Sequence, residues 1–273
     1  MGTPLFHVDA FTDRPFAGNP AAVCVLSEDR SDDWMQSVAR ELNLSETAFL
    51  RKDGPVWRLR WMTPTVEVDL CGHATLASAH ALWEAGYEKP GAAIAFETKS
   101  GRLTATPAPA GSAVSIELDF PAEPAEASPL PPDLLPALGL PPASARWTGR
   151  NRLDWIVELS AEADVRAIAP DFARTAAACG GARGVIVTAP SSRTGWDFVS
   201  RYFAPGAGID EDPVTGSAHC CLGPLWADRL GKRELTGYQA SARGGTVAVR
   251  VGEGRVQLGG RAVVVARGEL SIP

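Results

Sequence analysis

The sequence contains no apolar run that approaches the ~20 residues needed to cross a bilayer. Its opening, Met1-Gly2-Thr3-Pro4-Leu5-Phe6-His7-Val8-Asp9, has no basic segment followed by an apolar core, so it does not read as a secretory leader. These two absences predict a cytoplasmic protein with no membrane partner. An excess of positive charge is also missing: 26 Lys and Arg face 32 Asp and Glu, a net charge of −6, which argues against a nucleic-acid partner. Cysteines are few and odd in number, five in all at Cys24, Cys71, Cys179, Cys220 and Cys221, which excludes a secreted disulfide framework. Cys71-x-His73 and His219-Cys220-Cys221 lack the two- or three-residue gap between ligands usual in zinc sites, so no metal is expected. A chain of 273 residues buries enough surface to stand without such staples.

What the chain does have is a repeat. Arg60-Trp61-Met62-Thr63-Pro64 leads through a loop with Asp69 to Gly72-His73-Ala74 and an apolar run closing at Gly86. Arg201-Tyr202-Phe203-Ala204-Pro205 leads through a loop with Asp212 to Gly216-Ser217-Ala218 and an apolar run closing at Gly231. Each run, rich in Ala, Leu, Cys and Trp, reads as a helix apolar nearly all round and therefore buried. The start of such a helix presents unpaired N–H groups and a partial positive charge. Two such starts facing a common gap would hold an anion, whereas shared packing alone would explain the repeat without any site.

Flanking segments read mainly as strands: 5–11, 21–26, 57–61, 92–98, 102–106 and 113–120 in the first half, and 155–159, 184–189, 196–203, 246–251, 255–258 and 262–266 in the second. Residues 31–42 form an amphipathic helix with acids at its start and Asn43 at its end. Prolines crowd 121–145, which reads as the crossing between halves. The fold class predicted is α+β: two pseudo-symmetric domains, 1–125 and 126–273, each a barrel-like, mostly antiparallel sheet around a central apolar helix, at about 72–86 and 216–231. Glu46, between Ser45 and Thr47 on the lip of an apolar strand, reads either as a solvated acid or as a carboxylate held partly out of water.

Gly18-Asn19-Pro20-Ala21-Ala22-Val23, Leu44-Ser45-Glu46-Thr47-Ala48-Phe49, Asp69-Leu70-Cys71-Gly72-His73-Ala74-Thr75 and Asp212-Pro213-Val214-Thr215-Gly216-Ser217-Ala218 together resemble the phenazine-biosynthesis PhzF-like isomerase family of the diaminopimelate-epimerase superfamily. The resemblance runs over essentially the whole chain. It implies a site between two similar domains and proton-transfer chemistry without a cofactor. It makes Glu46 the acid/base, with His73 and Asp212 as further catalytic residues; Asn19, Ser45, Gly72, Gly216 and Ser217 are expected to bind a small carboxylate substrate. It also implies a homodimer. Related racemases use a thiol at each helix start; here the first position has Cys71, but the second has Ser217, a poor base without a partner. The alternatives are thus a two-base racemase built on Cys71 and a non-catalytic scaffold that binds a small acid.

Overall fold

The computed structural model describes residues 2–109, 112 and 115–272. The chain forms two compact units, Met1–Phe120 with Gln257–Pro273, and Pro121–Val256. In the first, β1 (Thr3–Ala10) and β2 (Asn19–Leu26) are an antiparallel pair. Helix α1 (Asp32–Leu42) carries the chain over to β3 (Glu46–Asp53), which lies parallel to β2. β4 (Val56–Met62) returns antiparallel to β3, and β5 (Glu67–Val68) pairs with its end. Helix α2 (Gly72–Glu84) then crosses to β6 (Ile94–Thr98), parallel to β4, and β7 (Gly101–Pro107) and β8 (Ile116–Pro121) follow antiparallel. Parallel neighbours cannot be joined by a tight turn, so the two parallel joints fall where the two helices provide crossovers. Ala113 and Val114, expected in a strand, lie outside the described residues.

The helices differ as their sequences require. Ser31 caps α1 by accepting from the Trp34 N–H at 3.2 Å, Asn43 closes it in the left-handed region at φ 49°, and one face buries Met35, Val38 and Ala39 against Cys24, Phe49 and Met62. Helix α2 is buried all round from Gly72 to Leu82 apart from His80. Its polar Thr75 and Ser78 are accommodated because their hydroxyls donate back to the Cys71 and Ala74 carbonyls at 2.5 and 2.7 Å.

The second unit begins with β9 (Glu126–Ala127), the short α3 (Leu134–Ala137), β10 (Ala145–Arg150) and β11 (Asp154–Leu159). Next come α4 (Glu162–Ala167), α5 (Phe172–Ala178), β12 (Gly184–Pro190), β13 (Phe198–Ala204) and β14 (Ile209–Asp212). The unit closes with α6 (Gly216–Leu230), β15 (Glu234–Gln239) and β16 (Gly245–Val251), after which β17 (Arg255–Gly260) runs back into the first unit. The pairing repeats that of the first unit. β11 lies parallel to β12 after a helical crossover, β13 lies parallel to β15 across α6, and β10–β11, β12–β13, β13–β14 and β15–β16 are antiparallel. Pro224 inside α6 has no N–H for the Cys220 carbonyl one turn earlier, and the Glu123 N–H takes that carbonyl at 3.1 Å.

One boundary differs from the sequence expectation. β18 (Ala262–Leu270), read as a strand of the second half, pairs antiparallel with β1 from Thr3↔Leu270 to Ala10↔Ala262, so residues 257–273 belong to the first unit. β1 has β2 on one side, and without β18 its other edge would present unpaired backbone groups. The first unit also ends at Phe120, ahead of the proline-rich segment rather than within it. Among the described residues, no helix is long and apolar enough to cross a membrane.

Candidate functional site

The predicted residues of the first unit form one connected set. Glu46 is the first residue of β3, in register with Ala21 of β2, and His73 is the second residue of α2. Asn19 opens β2 directly after Gly18, whose φ of +66° suits glycine and where a Cβ would lie 2.1 Å from the Ala10 carbonyl oxygen. Glu46 Oε2 lies 3.1 Å from His73 Nε2, an ion-pair distance; both atoms are buried, and among the described residues neither has a hydrogen-bond partner. On the other side of the ring, Asn19 Nδ2 is 3.0 Å from His73 Nδ1. The Ser45 hydroxyl is 3.0 Å from Asn19 Oδ1 and 3.3 Å from the Pro20 carbonyl.

Burial opposes a charge on the His73 ring, yet the Glu46 carboxylate beside it favours one, and its pKa lies well above the ordinary range. Cys71 Sγ lies 3.5 Å from His73 Nδ1. Burial, reinforced by the Glu46 charge, pushes the Cys71 thiol up, so placement at a helix start does not produce a thiolate here. One ligand atom each from Glu46, Cys71 and His73 falls within 4.8 Å of the others, a spacing that would suit a metal ion. The Asn19 amide, 3.0 Å from Nδ1, already takes up one of the two ring nitrogens of His73.

Asp212, Gly216 and Ser217 form a second set in the other unit. Asp212 ends β14, is buried, and its Oδ2 accepts from the Thr215 hydroxyl at 2.5 Å. Gln239 ties this turn together, donating to the Asp212 carbonyl at 2.6 Å and accepting from the Thr215 N–H at 2.9 Å. Ser217, in the first turn of α6, accepts from Arg183 Nη2 at 2.8 Å. The same guanidinium holds Asp154 through Nη2 at 2.7 Å, and the Tyr202 hydroxyl donates to Asp154 at 2.8 Å. Burial and the Asp154 charge push the Tyr202 phenol well up, so it remains a neutral donor. Sequence reading missed Arg183, Asp154 and Gln239, whose spacing carries no motif.

Both central helices start without a side-chain hydrogen-bond cap, from Cys71 and Thr215, whereas α1 and α5 are capped by Ser31 and Asp171. The first turns of α2 and α6 are thus not closed by a capping side chain, an arrangement that suits an anion. The repeated arginine serves the scaffold. Arg60 grips Glu67 through Nε and Nη2 at 2.7 and 2.8 Å, and Arg201 grips Glu211 at 2.7 and 2.9 Å. Each fork fastens the loop that precedes a central helix to the strand before it.

Residues 8–268 match the family model described as phenazine biosynthesis-like protein. An uncharacterized isomerase of Halalkalibacterium halodurans is 50% identical over 99% of both chains. The human phenazine biosynthesis-like domain-containing protein is 38% identical, covering 99% of this chain and 100% of its own. The crystal structure of a PhzF-family phenazine biosynthesis protein from Enterococcus faecalis superposes with a TM-score of 0.91 at 42% identity, over 100% of both chains.

Proposed function

The chain belongs to the phenazine biosynthesis-like family, an isomerase family, and from that premise we propose that it moves a proton on a small carboxylate-bearing substrate with Glu46 as general acid/base. The carrying observation is the buried Glu46–His73 contact at the uncapped start of α2. The N–H groups of Gly72 and His73 suit the substrate carboxylate and the negative charge that grows as a C–H bond breaks. Glu46 takes the proton from the activated carbon and returns it at another, so the molecule is isomerised with no net change in atoms. His73, 3.1 Å from Glu46, supports its carboxylate before the proton is taken and after it is returned. Asp212, Ser217 and Gly216 supply further polar contacts to the substrate, while Ser45 and Asn19 line the Glu46 side. No cofactor or metal takes part in this reading, and the working species is a homodimer.

The thiol racemase is disfavoured because Cys71 is held protonated and the second helix start has in place of a thiol Ser217, whose hydroxyl accepts from Arg183. A panel of small unsaturated and hydroxylated carboxylic acids incubated with the protein in heavy water, followed by NMR, tests the proposal. Solvent deuterium appearing on carbon together with a shifted double bond supports it. A ligand that binds yet exchanges nothing favours a scaffold that only holds small acids.

A further inference from the structure

The His73 ring has an amide on the side away from Glu46, and that amide has two ways to sit. With Asn19 Nδ2 facing Nδ1 at 3.0 Å, the arrangement suits a neutral ring that accepts at Nδ1 and has its proton on Nε2, on the Glu46 side. In this arrangement the Ser45 hydroxyl donates to Asn19 Oδ1 at 3.0 Å. A doubly protonated ring would set two donors against each other and leave Nδ1–H facing only the weakly accepting Cys71 sulfur, at 3.5 Å. Turning the carboxamide by half a revolution removes that conflict: Oδ1 then accepts from Nδ1–H, and Nδ2 donates to Ser45 Oγ. The Ser45 hydroxyl in turn donates to the Pro20 carbonyl, already within 3.3 Å. Each arrangement pairs the ring nitrogen, the amide and the Ser45 hydroxyl with one another, whereas an amide fixed in the first would face the charged ring with a donor.

We propose that Asn19 is a positioning residue and not a substrate contact: its carboxamide, turning against Ser45, lets the buried His73 ring beside Glu46 exist both neutral and charged. This rests on the reading of Glu46 and His73 as the proton-handling pair, and it departs from the expectation that Asn19 binds substrate. Asn19 is fully buried, as a residue acting through His73 would be. The ionisable groups acting on the ring are Cys71, just before α2, and Glu46 from β3. On the strands packed against α2, several charged groups are paired with other residues, among them Arg102 of β7, which donates to Glu97 at 2.7 Å. Asp9 of β1 accepts from the Phe16 N–H at 2.7 Å, Arg51 of β3 pairs with Asp29 at 2.9 Å, and Arg267 of β18 pairs with Glu84 at the far end of the helix.

NMR of the full chain with nitrogen-labelled histidine and asparagine tests this without any substrate. With four histidines in the chain, the His73 signal is assigned by its loss in His73→Gln. In the wild type, the Asn19 side-chain amide signals move with the same midpoint as the His73 ring nitrogens. In Asn19→Asp, a permanent acceptor faces Nδ1, and the His73 midpoint rises by at least about one pH unit. The proposal is overturned by Asn19 amide signals that ignore the titration, by an unchanged midpoint in the aspartate variant, or by a ring that keeps one charge state in both proteins. Because the wild-type measurement needs no variant to fold and no turnover, a coupled titration in a protein that exchanges no deuterium would defeat the catalytic reading and leave this one standing.

Discussion

Cys71 shows burial overruling position. A thiol at the start of a helix is expected to ionise easily, yet this one is enclosed and faces the Glu46 charge, and both raise its pKa. The same holds without any helix start for Cys24 and Cys221, pushed up by burial to about 12, and Cys179, to about 11. The sign of the consequence follows from linkage. Above the ordinary thiol value of 9.0, the unfolded chain releases protons that the folded chain keeps, so stability is full below pH 9 and falls as pH rises past it. Urea midpoints measured between pH 8 and 11 will therefore decline, and Cys24→Ala will decline less steeply; a flat profile would contradict this. Gly18 is the other decisive single residue. Gly18→Ala adds a Cβ 2.1 Å from a carbonyl oxygen at φ +66°, and is expected to cost about 2 kcal/mol or more in urea unfolding while weakening activity through Asn19.

At the scale of elements, α6 carries the clearest pH signature. His219 sits in it with no exposure, its Nδ1 2.8 Å from the Thr215 carbonyl, and burial depresses its pKa to about 4 from 6.5. Between those values the unfolded chain binds a proton that the folded chain refuses, so stability is complete above about pH 6.5 and falls as pH drops toward 4. Replacing His219 with Gln should flatten that acid-side slope in thermal melts from pH 7 to 4; an unchanged slope would contradict the assignment. Helices α1, α2 and α6 were legible from spacing, caps and uniform apolarity. The parallel strand pairs were not, because a short apolar run reads alike whichever way its neighbour points. Glu46, His73 and Ser45 were legible as motif residues, but their wiring through Asn19 was not. The forks Arg60–Glu67 and Arg201–Glu211 also escaped notice: the arginines stood aligned in the repeat, and only the sheet register discloses which acid each one meets.

On the scale of the molecule, the repeat in the sequence becomes two units with the same strand pairing, and the tail does not follow its sequence neighbours. β18 reads as one more strand of a local meander because pattern alone does not reveal a partner more than two hundred residues away. A chain ending at Arg261 leaves β1 with an open edge, and it should melt at lower temperature and aggregate on heating; an unchanged midpoint would show that β18 contributes little.

The central claim is that one carboxylate, Glu46, moves the proton. Its most direct test is the rate of solvent-deuterium entry into a turned-over carboxylic acid, measured by NMR for wild type, Glu46→Gln and Cys71→Ser at equal folded concentration. The account predicts a loss of ~10²–10⁴-fold for the glutamine variant and a change of no more than a few-fold for the serine variant. Exchange that survives Glu46→Gln and disappears with Cys71→Ser would contradict it.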